Sequence, residues 1–138
     1  MVTKHIGLTL IAGIAVGYAA WKVLPPVWTP IQTAGLILLA IGFPLWTIAR
    51  FQLGDSFAVT AQARQLVTHG IYSKLRNPIY VFGSCIIAGV FMLIGRPKYL
   101  LIFVIVIPMQ ILRARKEAAV LEAKFGDEYR AYRASTWL

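Results

Sequence analysis

Acidic side chains are nearly missing from this sequence of 138 residues: there are five, against fourteen lysines and arginines. Charged residues of both signs make up 14% and hydrophobic ones 59%, where a soluble domain carries about a quarter charged and roughly 45–50% apolar. That scarcity excludes a disordered chain, a coiled coil and an ordinary cytosolic domain. Cysteine is reduced to Cys85, which excludes a disulfide framework and any multi-cysteine zinc site. His5 and His69 stand too far apart to form a local metal pair, so no metal site is expected. No acid or base falls inside an apolar run, and proton-coupled transporters and ion pumps need one there. What the chain does have is uncharged length, a mean hydropathy of +0.71 and a net charge of +9. The length allows one domain, 1–138, and the composition makes it a membrane domain.

Apolar runs bounded by charge place the helices. Lys4 and Lys22 enclose 17 uncharged residues, which as a helix reach about 26 Å, close to a hydrocarbon core of about 30 Å. A cleavable signal peptide is the competing reading, but the run is too long and continues directly into WKVLPPVW. Pro25, Pro26 and Pro30 set a turn at 22–30, and Pro44 marks a kink in the helix that follows. Gly95-Arg96-Pro97-Lys98 reads as a tight connection between the last two runs. The expected fold is all-α and polytopic: about four transmembrane helices near 5–24, 31–49, 78–95 and 98–125, with a cytoplasmic loop 50–77 and a cytoplasmic amphipathic C-terminal helix in the tail 113–138.

Eleven of the fourteen basic residues fall on one side of such a topology and three, Lys22, Arg96 and Lys98, on the other. The positive-inside rule then puts both termini in the cytoplasm of a multi-pass protein of a cytoplasmic membrane. Basic flanks facing anionic lipid account for the charge without nucleic acid, since no basic stripe with interleaved aromatics is present. All five acids lie on the cytoplasmic side as well, so any chemistry belongs there. Trp21, Trp28, Trp46 and Trp137 fit interfacial anchors. Gly7, Gly13 and Gly17 in the first helix would allow close helix contact.

The loop carries Phe51, Leu53, Phe57, Val59, Leu66, Val67, Ile71 and Tyr72, too much apolar surface for disorder, and should pack on the membrane face or the tail. In the tail, Ala114, Ala118, Leu121, Phe125, Tyr129 and Tyr132 recur at helical spacing as one stripe, with a break or bend at Gly126. The plain reading of that stripe is a helix lying on the bilayer. Arg113 and Glu117 are i and i+4, which alone is a helix-stabilising pair worth roughly 0.2–0.5 kcal/mol. A hairpin of the last two helices brings Arg76, Asn77 and Tyr80 to the same depth. A cation, an amide, a phenol and a carboxylate beside an apolar wall have the composition of a small-molecule pocket.

QLVTHGIYSKLRNPIYVFG at 65–83 and RARKEAAVLEAKFGDEYRAYR at 113–133 resemble the two motifs of the isoprenylcysteine carboxyl methyltransferase and phospholipid methyltransferase superfamily, in the same order across a helical hairpin. The resemblance covers about the C-terminal half. It implies an integral membrane enzyme that binds S-adenosylmethionine on the cytoplasmic side, between the last helices and the tail, and releases S-adenosylhomocysteine. It implies a cofactor-binding set of Gly70, Tyr72, Arg76, Asn77, Pro78, Tyr80, Arg113 and Glu117, with Arg76, Asn77 and Glu117 as the catalytic residues. Asn77 stands where many members have histidine, and Ala118 where a second glutamate is usual.

On that implication Glu117 suits the cofactor's ammonium or its ribose hydroxyls. Arg76 or Arg113 suits its carboxylate, and Tyr72 and Tyr80 offer ring faces to the adenine or the sulfonium. Asn77 cannot titrate, and His69 is the nearest alternative base, so acceptors that are already nucleophilic are the easier ones. Cys85 reads as a packing residue. The expected activity is methyl transfer to a lipophilic or membrane-delivered small acceptor: an isoprenylcysteine-like carboxylate, a phospholipid or a thiol. Ala118 raises the alternative of a catalytically silent membrane scaffold or subunit of the same fold.

Overall fold

The computed structural model describes residues 2–23, 28–54 and 66–137. Among them every regular element is helical. Helix α1 spans Val2–Val23 and α2 Pro30–Leu53; a 3₁₀ turn at Gly70–Ser73 leads into α3, Pro78–Leu93. A second 3₁₀ turn, Pro97–Ile102, opens α4, Phe103–Phe125, and α5 spans Asp127–Ser135. Pro25 and Pro26 of the expected turn, and Asp55, Phe57, Val59 and Arg64 of the loop, lie outside the described residues.

The element ends differ from the expected ones for local reasons. Thr29 and Gln32 form a capping box: Gln32 N donates to Thr29 Oγ1 at 3.3 Å and Thr29 N to Gln32 Oε1 at 3.0 Å. With Pro30 in the first turn, where its missing N–H costs nothing, this fixes the start of α2. That helix runs uninterrupted through Pro44 and on to Leu53, taking Arg50, Phe51 and Leu53 out of the expected loop. It stops at Gly54, which has φ +50° and donates its N–H to the Arg50 carbonyl. Helix α3 ends at Leu93, two residues early, because Gly95 turns left-handed with φ +70°. The Arg96 N–H then reaches back to Phe91 O at 2.9 Å and Gly95 N–H to Met92 O at 3.0 Å, the paired bonds of a Schellman ending. The helix expected from 98 begins as the 3₁₀ turn, closed by Tyr99 N–H on Arg96 O at 3.1 Å; α-helical bonding starts only at Phe103. Gly126, with φ +53°, splits the tail into α4 and α5.

The tightest packing is between α2 and α3. A Cβ on Gly35 would stand 2.6 Å from Leu93 N and 2.7 Å from Gly89 O; one on Gly89 would stand 2.9 Å from Gly35 O. Two turns along, Gly42 meets Cys85, 3.1 Å from where its own Cβ would be. Small residues here let two backbones approach, the usual device where lipid removes the hydrophobic drive between helices. In α1, by contrast, Gly7 and Gly17 face open space and Gly13 meets only the ring of Phe43. Close contact therefore sits between α2 and α3 and not on the first helix. Between α3 and α4, Ser84 Oγ donates to Gln110 Oε1 at 3.1 Å, so two polar groups on apolar helices satisfy each other.

Among the described residues two stretches are long and apolar enough to cross a membrane, Pro30–Leu53 and Pro97–Phe125. The apolar helices Leu10–Ala19 and Pro78–Leu93 are shorter. Large side chains on these stretches point outward: Leu101 is 74% exposed and Val104 73%. A continuous apolar exterior of this kind marks a surface that meets lipid or another apolar partner.

Gly35→Ala is expected to destabilise the protein by about 1–3 kcal/mol, because its methyl group meets backbone that cannot yield. Gly17→Ala, with nothing near it, is expected to leave stability the same or slightly higher. Thermal unfolding of the two variants in detergent checks the contrast.

Candidate functional site

Asn77 and Pro78 start α3. The Asn77 carbonyl accepts the N–H groups of Tyr80 and Val81, while its side chain makes no capping bond and stays available. Tyr80 lies in the first turn of α3 and reaches α4. Its Oη donates to Glu117 Oε1 at 2.6 Å, and Arg113 Nε donates to the same oxygen at 3.0 Å. The Arg113 guanidinium also lies 5.8 Å from the centre of the Tyr80 ring. The i,i+4 pair is thus one half of a three-residue node that joins two helices.

This node forms one wall of a cavity of about 570 Å³, well within the range of small-molecule sites. Tyr72, Arg76, Asn77, Tyr80, Arg113 and Glu117 all line it. Leu53, Leu66, Val67, Ile79 and Ile111 supply an apolar part, so the described end of the loop packs toward the tail helices. Four arginines and two glutamates line the cavity, which leaves it net positive. Arg76 is the least satisfied of these: its Nε is buried and has no hydrogen-bond partner among the described residues. A buried donor left unpaired is costly, and an anionic group entering the cavity would supply its partner.

Gly70 and Pro78 are not among the lining residues. Gly70 has φ +61°, and the Gln52 amide occupies the space a Cβ would need. That amide oxygen accepts the Ile71 N–H at 2.8 Å, fastening the 3₁₀ turn to α2. Pro78 is fully buried in the first turn of α3. Both residues set backbone course, and neither faces the cavity. His69 is exposed at the start of the 3₁₀ turn, outside the lining.

The far wall comes from α5, whose Tyr129 is 2% exposed and Tyr132 8%. Tyr132 Oη donates to the Tyr72 carbonyl at 2.7 Å, and Trp137 N–H to the Lys74 carbonyl at 2.9 Å. These bonds tie the tail to the segment that carries Tyr72 and Arg76, and Ala114, Ala118, Leu121, Tyr129 and Tyr132 of the tail stripe line the cavity. Burial pushes the Tyr132 phenol up to about 12, with Tyr129 adding to the shift and Arg76 opposing it. Burial also raises Tyr72, with Tyr132 and Glu117 adding to it. Both phenols therefore stay neutral near pH 7. The raised value means that Tyr132's contribution is complete below about pH 10 and is lost as pH rises through about 12. Gln52 behind the 3₁₀ turn, and Arg115, Glu122 and Arg133 on the lining, are the polar residues that sequence patterns did not single out. Only Glu122 carried a signal, being one helical turn beyond Ala118 on the same face.

Residues 30–128 match the family described as phospholipid methyltransferase. Protein-S-isoprenylcysteine O-methyltransferase of Schizosaccharomyces pombe is 37% identical over 108 residues, covering 74% of this chain and 46% of that protein. The chain thus spans about half the length of the curated relative it matches. No solved structure matches it.

Tyr132→Phe is expected to cost about 0.5–1.5 kcal/mol, the net value of one such hydrogen bond. Hydrogen exchange should accelerate at the Tyr72, Lys74 and Leu75 amides and stay unchanged at Gly95 and Arg96, in the distant α3–α4 connection.

Proposed function

The chain belongs to the isoprenylcysteine and phospholipid methyltransferase superfamily, and from that premise we propose that it is a membrane methyltransferase that uses S-adenosylmethionine to methylate a lipid-borne acid. In this reading α1 to α4 cross the membrane and the cavity opens at the cytoplasmic side, with both termini there. The observation that carries the cofactor assignment is that the node of Tyr80, Arg113 and Glu117 lines one cavity with Arg76, whose buried Nε has no partner among the described residues.

The residues present fit the cofactor. Arg76, with its buried donor lacking a partner, suits the cofactor carboxylate. Glu117 is held by Tyr80 and Arg113 in a fixed orientation, and a fixed acceptor suits an ammonium or ribose hydroxyls. Tyr72 offers its ring at the same wall. Bound S-adenosylmethionine supplies an electrophilic methyl carbon; an acceptor carboxylate oxygen takes it as a methyl ester, and S-adenosylhomocysteine leaves. The protein's part is to align the acceptor and exclude water.

Two features favour an acid over an amine as acceptor. The lining is net positive, which attracts an anion. No histidine lines the cavity among the described residues, and a carboxylate, unlike an ammonium, needs no base to remove a proton first. The relative from Schizosaccharomyces pombe is named for O-methylation of isoprenylcysteine, which agrees with an acid. The apolar residues Leu66, Ile79 and Ile111 suit the adjoining lipid chain.

In detergent, the wild type is expected to bind S-adenosylhomocysteine saturably, and Glu117→Ala or Arg76→Ala to weaken binding at least about tenfold, the scale of one charge-assisted contact. A folded wild type that bound none would leave the silent-scaffold alternative. With labelled S-adenosylmethionine, methyl incorporation into lipid acids should vary less than about threefold from pH 5.5 to 7, where an acceptor carboxylate with a pKa of about 4 is already ionised and the cofactor's amino group, with a pKa of about 8, is still protonated. An acceptor amine, or a rate limb near pH 7, would overturn the assignment of the acid.

A further inference from the structure

Resting on the cofactor reading above, we propose that Glu122 is the second carboxylate of the cofactor site, accepting hydrogen bonds from hydroxyl or ammonium groups of S-adenosylmethionine at the end of the cavity away from the lipid. The position four residues earlier on the same face of α4 is Ala118, which lines the cavity but offers it only a methyl group. Glu122 lines the same cavity one turn further on.

Three observations carry the assignment. First, the cavity extends along α4. At about 1.5 Å per residue, Glu122 lies roughly 16 Å beyond Ile111. Ile111 belongs to the apolar run that opens α4, whereas Glu122 follows about three turns later and lines the cavity with Tyr129, Tyr132 and Arg133 of α5. On the function proposed above, a lipid tail arrives along the apolar run, which leaves the α5 side to the water-soluble partner. Second, only one oxygen of Glu122 is used. Arg130 Nε donates to Oε1 at 2.9 Å, and no donor among the described residues meets Oε2. Third, Arg130 Nε draws Oε1 toward the Gly126 corner, where the same guanidinium also bonds Asp127. This strut is solvent-exposed and worth little by itself, so it biases the orientation of Glu122 and leaves its charge for a ligand.

The test separates ligand binding from the strut to Arg130. Glu122→Gln keeps an oxygen for Arg130 and nearly the same size but removes the negative charge; Arg130→Ala removes the strut and keeps the carboxylate. Calorimetric titration of the 138-residue chain in detergent with S-adenosylhomocysteine reads both, with thermal unfolding as the check on folding. Glu122→Gln is expected to raise Kd about tenfold, and Arg130→Ala by no more than about threefold. The KM for S-adenosylmethionine should rise with Kd in Glu122→Gln, while the KM for a lipid acid acceptor should not. Unchanged Kd in Glu122→Gln, or an equal loss in Arg130→Ala, would overturn the proposal and leave Glu122 as a strut. If Glu117→Ala weakens binding while Glu122→Gln does not, this inference alone fails. If folded wild type binds nothing, the cofactor reading fails and takes this inference with it.

Discussion

One oxygen atom, Glu117 Oε1, is shared by two helices. It accepts a phenol from α3 and a guanidinium from α4, where each helix passes from apolar to polar sequence. Removing either donor would leave a half-buried carboxylate short of a partner, and such groups are costly in surroundings of low polarity. The rest of the site depends on this meeting. The left-handed Gly95 closes the hairpin at a depth that brings Tyr80 opposite Glu117. The seam of Gly35, Gly42 and Gly89 holds α3 against α2, so that α3 is a fixed platform for α4 to meet. Gln52, at the end of α2, then anchors the 3₁₀ turn whose continuation carries Arg76 into the cavity.

What the sequence made readable was whatever local geometry determines. The spacing of Arg113 and Glu117 on one helix, the break at Gly126 and the hairpin at Gly95–Lys98 follow from helical periodicity and turn chemistry within a few residues. Depth matching across a hairpin is also a local inference, and it is enough to bring Arg76, Asn77 and Tyr80 toward Glu117. The remainder depended on register between distant segments. Nothing in the glycine pattern says which helix each glycine faces, so Gly7 and Gly17 looked as suitable for close packing as Gly35 and Gly89. The Tyr132 bond to Tyr72 spans 60 residues, and no periodicity announces it. Without that bond, the tail stripe reads equally well as a surface helix on a bilayer. Motif membership also does not reveal how a residue serves: Gly70 and Pro78 shape backbone beside the cavity, while Tyr80 and Glu117 face into it.

The cavity combines two kinds of lining: aliphatic side chains from α2, the loop, α3 and α4, and a set of arginines, glutamates and tyrosines. The phenols of Tyr72 and Tyr132 contribute by remaining neutral: burial makes ionisation unfavourable, so Tyr132 holds the Tyr72 carbonyl and neither ring adds charge to a space already crowded with it.

The tie between Trp137 and the Lys74 carbonyl has a bearing on how the protein is made. Helices α2 and α3 can pair as soon as both have left the ribosome, since their seam is complete by Leu93. The cavity has no such early form, because its far wall is α5 and its last bond comes from residue 137. A nascent chain therefore carries a settled helical hairpin for some time before its cavity has a far wall. That wall forms only when α5 folds back over residues translated some sixty positions earlier.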